Sequence, residues 1–247
     1  MSSFRQMNDA VDVNTFALRF FNSLTFEEET EGEQSSEEEK KETLLSPATT
    51  NHHPKILAGK VARDKWTKSY PEEKMTVNVF NMQCGNVFKY ACDIVLDLSD
   101  RRKTTITFEL PQVPGAQERW NADTEQIYLI VRDGAIMKIG GTRTGMEARF
   151  ESYLCGHCVP ERLKRNGDAY PGKMSVTNAH LYHTIENDLL LGKATWSFYN
   201  WELPETTIKV NILGEETNVT TQTYHVYESK CIKKFIELTG HKPYLCG

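Results

Sequence analysis

The chain reads as an α+β protein, with strands gathered in its middle and helices concentrated toward its end. Three observations predict this. Apolar and polar residues alternate through 75–82, 87–98 and 103–110, the period of a half-buried strand. Two short β runs, 126–131 and 136–139, flank Arg132-Asp133-Gly134-Ala135, and Asp-Gly favours a tight hairpin because both residues tolerate positive φ. Helical spacing then marks 146–154, 177–192 and about 224–239. A length of 247 residues can bury a full core, and 39% hydrophobic with 26% charged residues is the profile of a soluble globular chain.

Taken in order, residues 1–26 place Val13, Phe16, Ala17, Phe20 and Phe21 at roughly helical spacing, so this segment is expected to carry a short helix. Residues 27–53 are rich in Glu, Ser and Thr and lack aromatics, which predicts a disordered acidic linker. Residues 54–124 read as a strand-rich region, with a locally basic start at 55–74 and a connector at 111–117. Residues 125–247 form the second body. It holds the hairpin, a helix with Met146, Phe150 and Leu154 on one stripe, and a helix capped by Ser175 or Thr177 and stopped at Gly192. Strands at 195–203 and 206–213 and a last helix ending at Gly240 complete it.

The net charge of −5 seems to argue against a polyanionic partner. Partition removes most of that objection. Residues 27–42 hold nine Glu and two Lys, a local charge of −7, which leaves residues 43–247 at +2. No run approaches the roughly 20 apolar residues of a membrane span. The start has no basic flank leading into an apolar stretch, so the chain is expected inside the cell, with its six cysteines reduced and the Asn218-Val219-Thr220 sequon fortuitous.

The last helix contains an anomaly. Its apolar stripe runs Tyr224, Glu228, Cys231, Ile232, Phe235 and Leu238, and a carboxylate on such a face costs several kcal/mol unless a cation compensates. A partner Arg or Lys, or an exposed helix start, would explain Glu228 as well as a metal would. Upstream, Gln126-Ile127-Tyr128-Leu129-Ile130 is followed after the turn by Lys138-Ile139-Gly140. Arg149 comes on the next helix with Tyr153 four residues later, then Glu228, then Lys242-Pro243-Tyr244-Leu245-Cys246. This ordered set resembles the GIY-YIG nuclease superfamily over residues 125–247, and residues 1–124 match no pattern. Gln126 stands where the family has Gly. Lys138 replaces the second Tyr, as in certain restriction endonucleases of the superfamily. Tyr153 stands where His is common, and Cys246 where Asn is common.

The resemblance implies a GIY-YIG-like core, a small sheet flanked by helices, that hydrolyses phosphodiester bonds of double-stranded DNA. In it Glu228 would hold one divalent metal, Mg²⁺ with Mn²⁺ as substitute. Tyr128 would orient or deprotonate the attacking water, with Lys138 lowering its effective pKa or positioning that water. Arg149 would offer its fork to phosphate oxygens, and Tyr153 would hydrogen-bond nearby. A buried aromatic strand residue is the plainer account of Tyr128 taken alone. DNA contacts are expected from Arg143, the basic loop Arg162, Lys164, Arg165 and Lys173, and the helix start at Thr177 and Asn178. A type II restriction endonuclease is the nearest kind, and a homodimer is expected by analogy. The alternatives are a homing or repair nuclease, or a non-catalytic DNA- or zinc-binding protein that keeps the fold. Cys155-Gly156-His157-Cys158 has the letters of a redox site, but it follows a helix rather than opening one, and a single close pair falls short of a zinc module.

Overall fold

A computed structural model of the chain describes residues 52–158 and 176–246. The expected N-terminal helix, all of the acidic linker but His52 and His53, the candidate cap Ser175 and the basic loop Arg162–Lys173 lie outside the described residues.

The first described elements are helices within the region expected to be strand-rich, the second of them where alternation predicted a strand. Helix α1 (Pro54–Trp66) opens on Pro54, whose missing N–H costs nothing in a first turn, and His53 Nδ1 accepts the Lys55 N–H at 3.3 Å. Helix α2 (Val77–Gln83) is capped by Thr76, whose Oγ1 accepts the Val79 N–H, and it buries Val77 and Phe80, three apart on one helical face. The same apolar residues satisfy both periods over so short a stretch, and the cap decides. Asn81 then clamps the chain reversal by bonding both the N–H and the carbonyl of Phe88 at 2.9 Å.

Strands β1 (Lys89–Leu96) and β2 (Ile106–Glu109) follow as expected, and the connector holds a short helix, α3 (Ala116–Asn121). The hairpin of β3 (Gln126–Arg132) and β4 (Ala135–Thr142) turns at Asp133 and Gly134, with φ of 48° and 81°. Helix α4 (Gly145–Leu154) runs into a 3₁₀ turn over Cys155–Cys158; α5 (Val176–Leu190) and β5 (Trp196–Glu202) come next. A separate hairpin, β6 (Thr206–Ile212) and β7 (Glu215–Thr221), precedes α6 (Tyr224–Thr239), which stops at Gly240 with φ of 81°.

Five strands form one antiparallel sheet in the order β2-β1-β5-β3-β4, so strands from both sides of residue 124 share it. Strand β3 is buried on both faces, and its alternation sorts the core into two layers. Tyr128 and Ile130 face Met146, Phe150 and Leu154 of α4 and Leu181, Tyr182 and Ile185 of α5. Ile127, Leu129 and Val131 face Phe80 of α2 and Cys231 and Phe235 of α6. Each such fully buried apolar side chain contributes about 1.5–3 kcal/mol. The result is the expected α+β class, an antiparallel sheet flanked by helices. No described helix is long and apolar enough to cross a membrane.

Candidate active site

The site is built at one end of the β3–β4 hairpin, where two glycines let large groups approach the sheet. Tyr128 pairs across the ladder with Gly140 and is fully buried. A Cβ on Gly140 would lie 2.2 Å from the phenol oxygen, so only glycine leaves room for the ring. Next to it, a Cβ on Gly141 would lie 2.6 Å from Tyr224 Cδ2 and 3.0 Å from Glu228 Oε2. That second gap lets α6 bring Glu228 close to β4.

Helix α4 supplies the cation. Arg149 Nε donates to the Tyr128 hydroxyl at 2.8 Å, and its Nη2 donates to the Tyr153 hydroxyl at 3.1 Å. The two hydroxyls also bond each other. The guanidinium carbon stands 4.6 Å from the Tyr153 ring centre and 5.8 Å from that of Tyr128, within cation–π reach of both. Burial pushes both phenols above the ordinary tyrosine range, with Arg149 opposing the rise, so both are protonated at neutral pH. Burial works against the Arg149 charge, but the two tyrosines outweigh it and hold the guanidinium cationic.

Lys138 sits on β4 at 8% exposure and donates from Nζ to the Leu245 carbonyl at 3.0 Å. Burial pulls its amine below the usual lysine range; the Arg149 charge adds to this, while Cys246 and Glu228 oppose it. The C-terminal stretch holds it in place. Leu245 N–H donates to the Met137 carbonyl at 2.9 Å, and the Cys246 thiol bonds the Ile139 carbonyl at 3.2 Å and its N–H at 3.4 Å. Cys246 therefore fastens the chain end to the strand that carries Lys138.

Tyr128, Arg149 and Tyr153 are thus in direct contact. Lys138 and Glu228 lie within electrostatic reach of each other and of that group. Glu228 is half-buried. Among the described residues no three His, Cys, Asp or Glu side chains converge on a point. A single half-buried carboxylate still suits Mg²⁺, which takes few protein ligands and keeps waters.

Some features of the site had no sequence signal. Glu125 Oε2 accepts both the N–H and the hydroxyl of Thr223, at 2.8 and 3.1 Å, and so fixes the start of the helix that carries Glu228. Gln126 is buried, and its Oε1 accepts from Asn200 Nδ2 at 2.7 Å. Its burial and hydrogen bonds show how a large polar side chain is accommodated where the resemblance has glycine.

Of the expected DNA contacts, Arg143 is exposed and borders a cavity of about 580 Å³ between the α4 start and the β6–β7 hairpin base. Thr177 is exposed, whereas Asn178 donates to the Ser152 carbonyl at 2.8 Å and ties α5 to the end of α4. The Cys155–Cys158 turn follows α4, and a Cβ on Gly156 would lie 2.3 Å from the Asn178 carbonyl oxygen, so the motif is close packing between helices.

No protein-family model matches the chain, and no curated protein matches its sequence. The solved structures that it resembles include two nucleases. One is restriction endonuclease HPY188I in complex with product DNA, with 21% identity over 71% of this chain and 87% of that one, at a TM-score of 0.40. The other is a mutant of bacteriophage T4 EndoII, with 12% identity over 69% of this chain and 98% of that one, at a TM-score of 0.38.

Proposed function

We propose that this chain is a metal-dependent endonuclease of the GIY-YIG kind that hydrolyses phosphodiester bonds of double-stranded DNA at a specific sequence. One observation carries the reading. Arg149 bonds Tyr128 and Tyr153 directly, and Lys138 and Glu228 are near enough to act electrostatically on that group, which supports the set of residues that the sequence resemblance names.

Their chemistry suits the reaction. Nε and one Nη2 hydrogen of Arg149 are spent on the two phenols, which leaves three N–H donors for the non-bridging oxygens of a phosphate. Such preorganised donors stabilise the charge that builds in the transition state. The protonated Tyr128, enclosed and bonded to Tyr153, serves as a positioning group for Arg149. The amine of Lys138, already drawn toward its neutral form by burial, is the group suited to take the proton from the attacking water. Glu228 would hold a Mg²⁺ ion, or Mn²⁺ in its place, and such an ion would supply Lewis acidity at the phosphate and at the departing oxygen. Cutting both strands at one site calls for two such centres, hence a homodimer. Arg143, Arg162, Lys164, Arg165, Lys173, Thr177 and Asn178 remain the proposed DNA contacts.

Incubating the protein with a sequenced genome and Mg²⁺, then mapping the ends, tests this reading. Discrete fragments sharing one sequence at their ends are expected. Nicking confined to junctions or lesions would move the protein to repair, and intact DNA with either metal would remove the enzyme reading.

A further inference from the structure

Strand β4 is the last strand of the five-stranded sheet, so its outer edge needs cover. Two segments supply it. At the start of α2, the Met75 carbonyl accepts the Ile136 N–H and the Val77 N–H donates to the Gly134 carbonyl, both at 2.9 Å. After α6, a strap of residues 241–246 covers the next stretch. There the Leu245 N–H bonds the Met137 carbonyl and the Cys246 thiol bonds Ile139. Lys138 stands between these two strap contacts, and its Nζ donates to the carbonyl of Leu245 itself. The place of the amine therefore follows the place of the strap.

The two covers meet in an ion pair. The Glu73 side chain is 2% exposed, and its Oε1 accepts the Met75 N–H at 2.9 Å. Among the described residues its Oε2 has no hydrogen-bond donor, and His241 Nε2 faces it at 3.5 Å. On the other side of the same ring, Nδ1 lies 2.8 Å from the Lys242 carbonyl. A neutral imidazole donates from one nitrogen only, so both contacts are favourable only for the imidazolium. Ring contacts carry this anchor along the strap. His241 stacks on Tyr244 with centres 4.8 Å apart at 14°, and Tyr244 stacks on Tyr70 at 5.9 Å and 27°. Thr239 Oγ1 donates to the His241 carbonyl at 2.9 Å and fixes the strap to the end of α6.

Closing an edge needs no such pair. The main-chain bonds and the burial of Leu245 already do it, and apolar side chains cover an edge at lower cost than a buried carboxylate. What a charged pair adds is a single seating, because Oε2 has one cationic partner in reach and the ring has one carbonyl.

We propose that Glu73 and His241 are positioning residues for Lys138: their pair clips the strap to the segment before α2 and so holds the Leu245 carbonyl, and with it the amine, in one place. This rests on the part in cleavage proposed above for Lys138. Both residues act through Leu245 rather than on DNA. Opening the clip loosens the cover over Lys138, lets water reach the amine and favours its protonated form.

Nuclear magnetic resonance of the full chain, isotope-labelled at lysine, tests this by following the Lys138 side chain against pH. Lys138→Arg assigns the signal by removing it. The groups acting on this amine are Arg149, Cys246 and Glu228, and none of them is altered in the test. In Glu73→Gln and in His241→Gln the titration is expected to move up, toward the ordinary lysine range. The double variant is expected to move it no further than either single one, as for two halves of one clip. Single-turnover cleavage at a pH on the rising limb should fall about tenfold in each, the effect of moving that limb by about one pH unit, with DNA affinity kept. A merely structural pair would lower the melting temperature and leave the Lys138 titration where it is. That result in both folded single variants, or shifts that add in the double variant, overturns the proposal. If the wild type cuts no duplex, the nuclease reading falls, and the titration still decides whether the clip places Lys138.

Discussion

Gly140 and Gly141 show why single atoms matter at the centre. A methyl group at 140 would occupy the space of the Tyr128 hydroxyl, and the ring cannot yield because it is enclosed on all sides. Gly140→Ala is therefore expected to cost about 1–3 kcal/mol of stability and to abolish cleavage, checked by thermal unfolding and a DNA digest. Lys138 makes the opposite trade. Burial favours its neutral amine in the folded state, so protonation opposes folding. That penalty is full at low pH and fades as pH rises through the lowered value toward that of an unfolded lysine. Lys138→Met should thus raise the melting temperature at neutral pH while removing cleavage. In the wild type the single-turnover rate should rise with pH along a limb below the ordinary lysine range. Tyr128, Lys138, Arg149, Tyr153 and Glu228 are singled out in the sequence by their order and local periods, and of these Tyr128, Arg149 and Tyr153 touch one another. Gly141, Tyr224 and Glu125 are not singled out there, since they act through contacts between segments far apart in the chain.

Helix α6 is the element on which the site depends most. Phe235 and Cys231 bury one face against the sheet, and Glu125 holds its first turn through two hydrogen bonds to Thr223. Glu125→Ala is expected to cost about 1 kcal/mol, as the loss of a helix cap does, and to lower the cleavage rate more than DNA affinity. Thermal unfolding, cleavage rate and a binding titration measured together would check that split. The β3–β4 hairpin was legible because Asp133-Gly134 permits little else, and both residues adopt the positive φ that the turn requires. Helices α1 and α2 were not. In 75–82 the apolar set alternates and also fits one helical face, and the competition is settled by the Thr76 cap and by the Asn81 clamp on Phe88. The β7 strand, Glu215–Thr221, carries too few apolar residues to announce itself and is held by its register with β6.

For the whole molecule, the acidic balance of −5 is a property of one tract, and residues 43–247 carry +2, so net charge does not oppose a DNA partner. The α+β class was legible from length, alternation and helical spacing, whereas the strand order β2-β1-β5-β3-β4 was not, because pairing between distant strands leaves no mark in local period. The proposed five-residue centre unites these scales. It draws on β3, β4, α4 and α6, so it exists only when the sheet and both of its covering layers are formed. The most direct test of the central claim compares the wild type with Glu228→Ala and Arg149→Ala on duplex DNA in Mg²⁺, with affinity measured in parallel. Cleavage by the wild type alone, lost on chelation and lost in both variants while they still bind DNA, is the expected result. A wild type that leaves every duplex intact in Mg²⁺ and Mn²⁺, or variants that cut as fast as it does, would contradict the account.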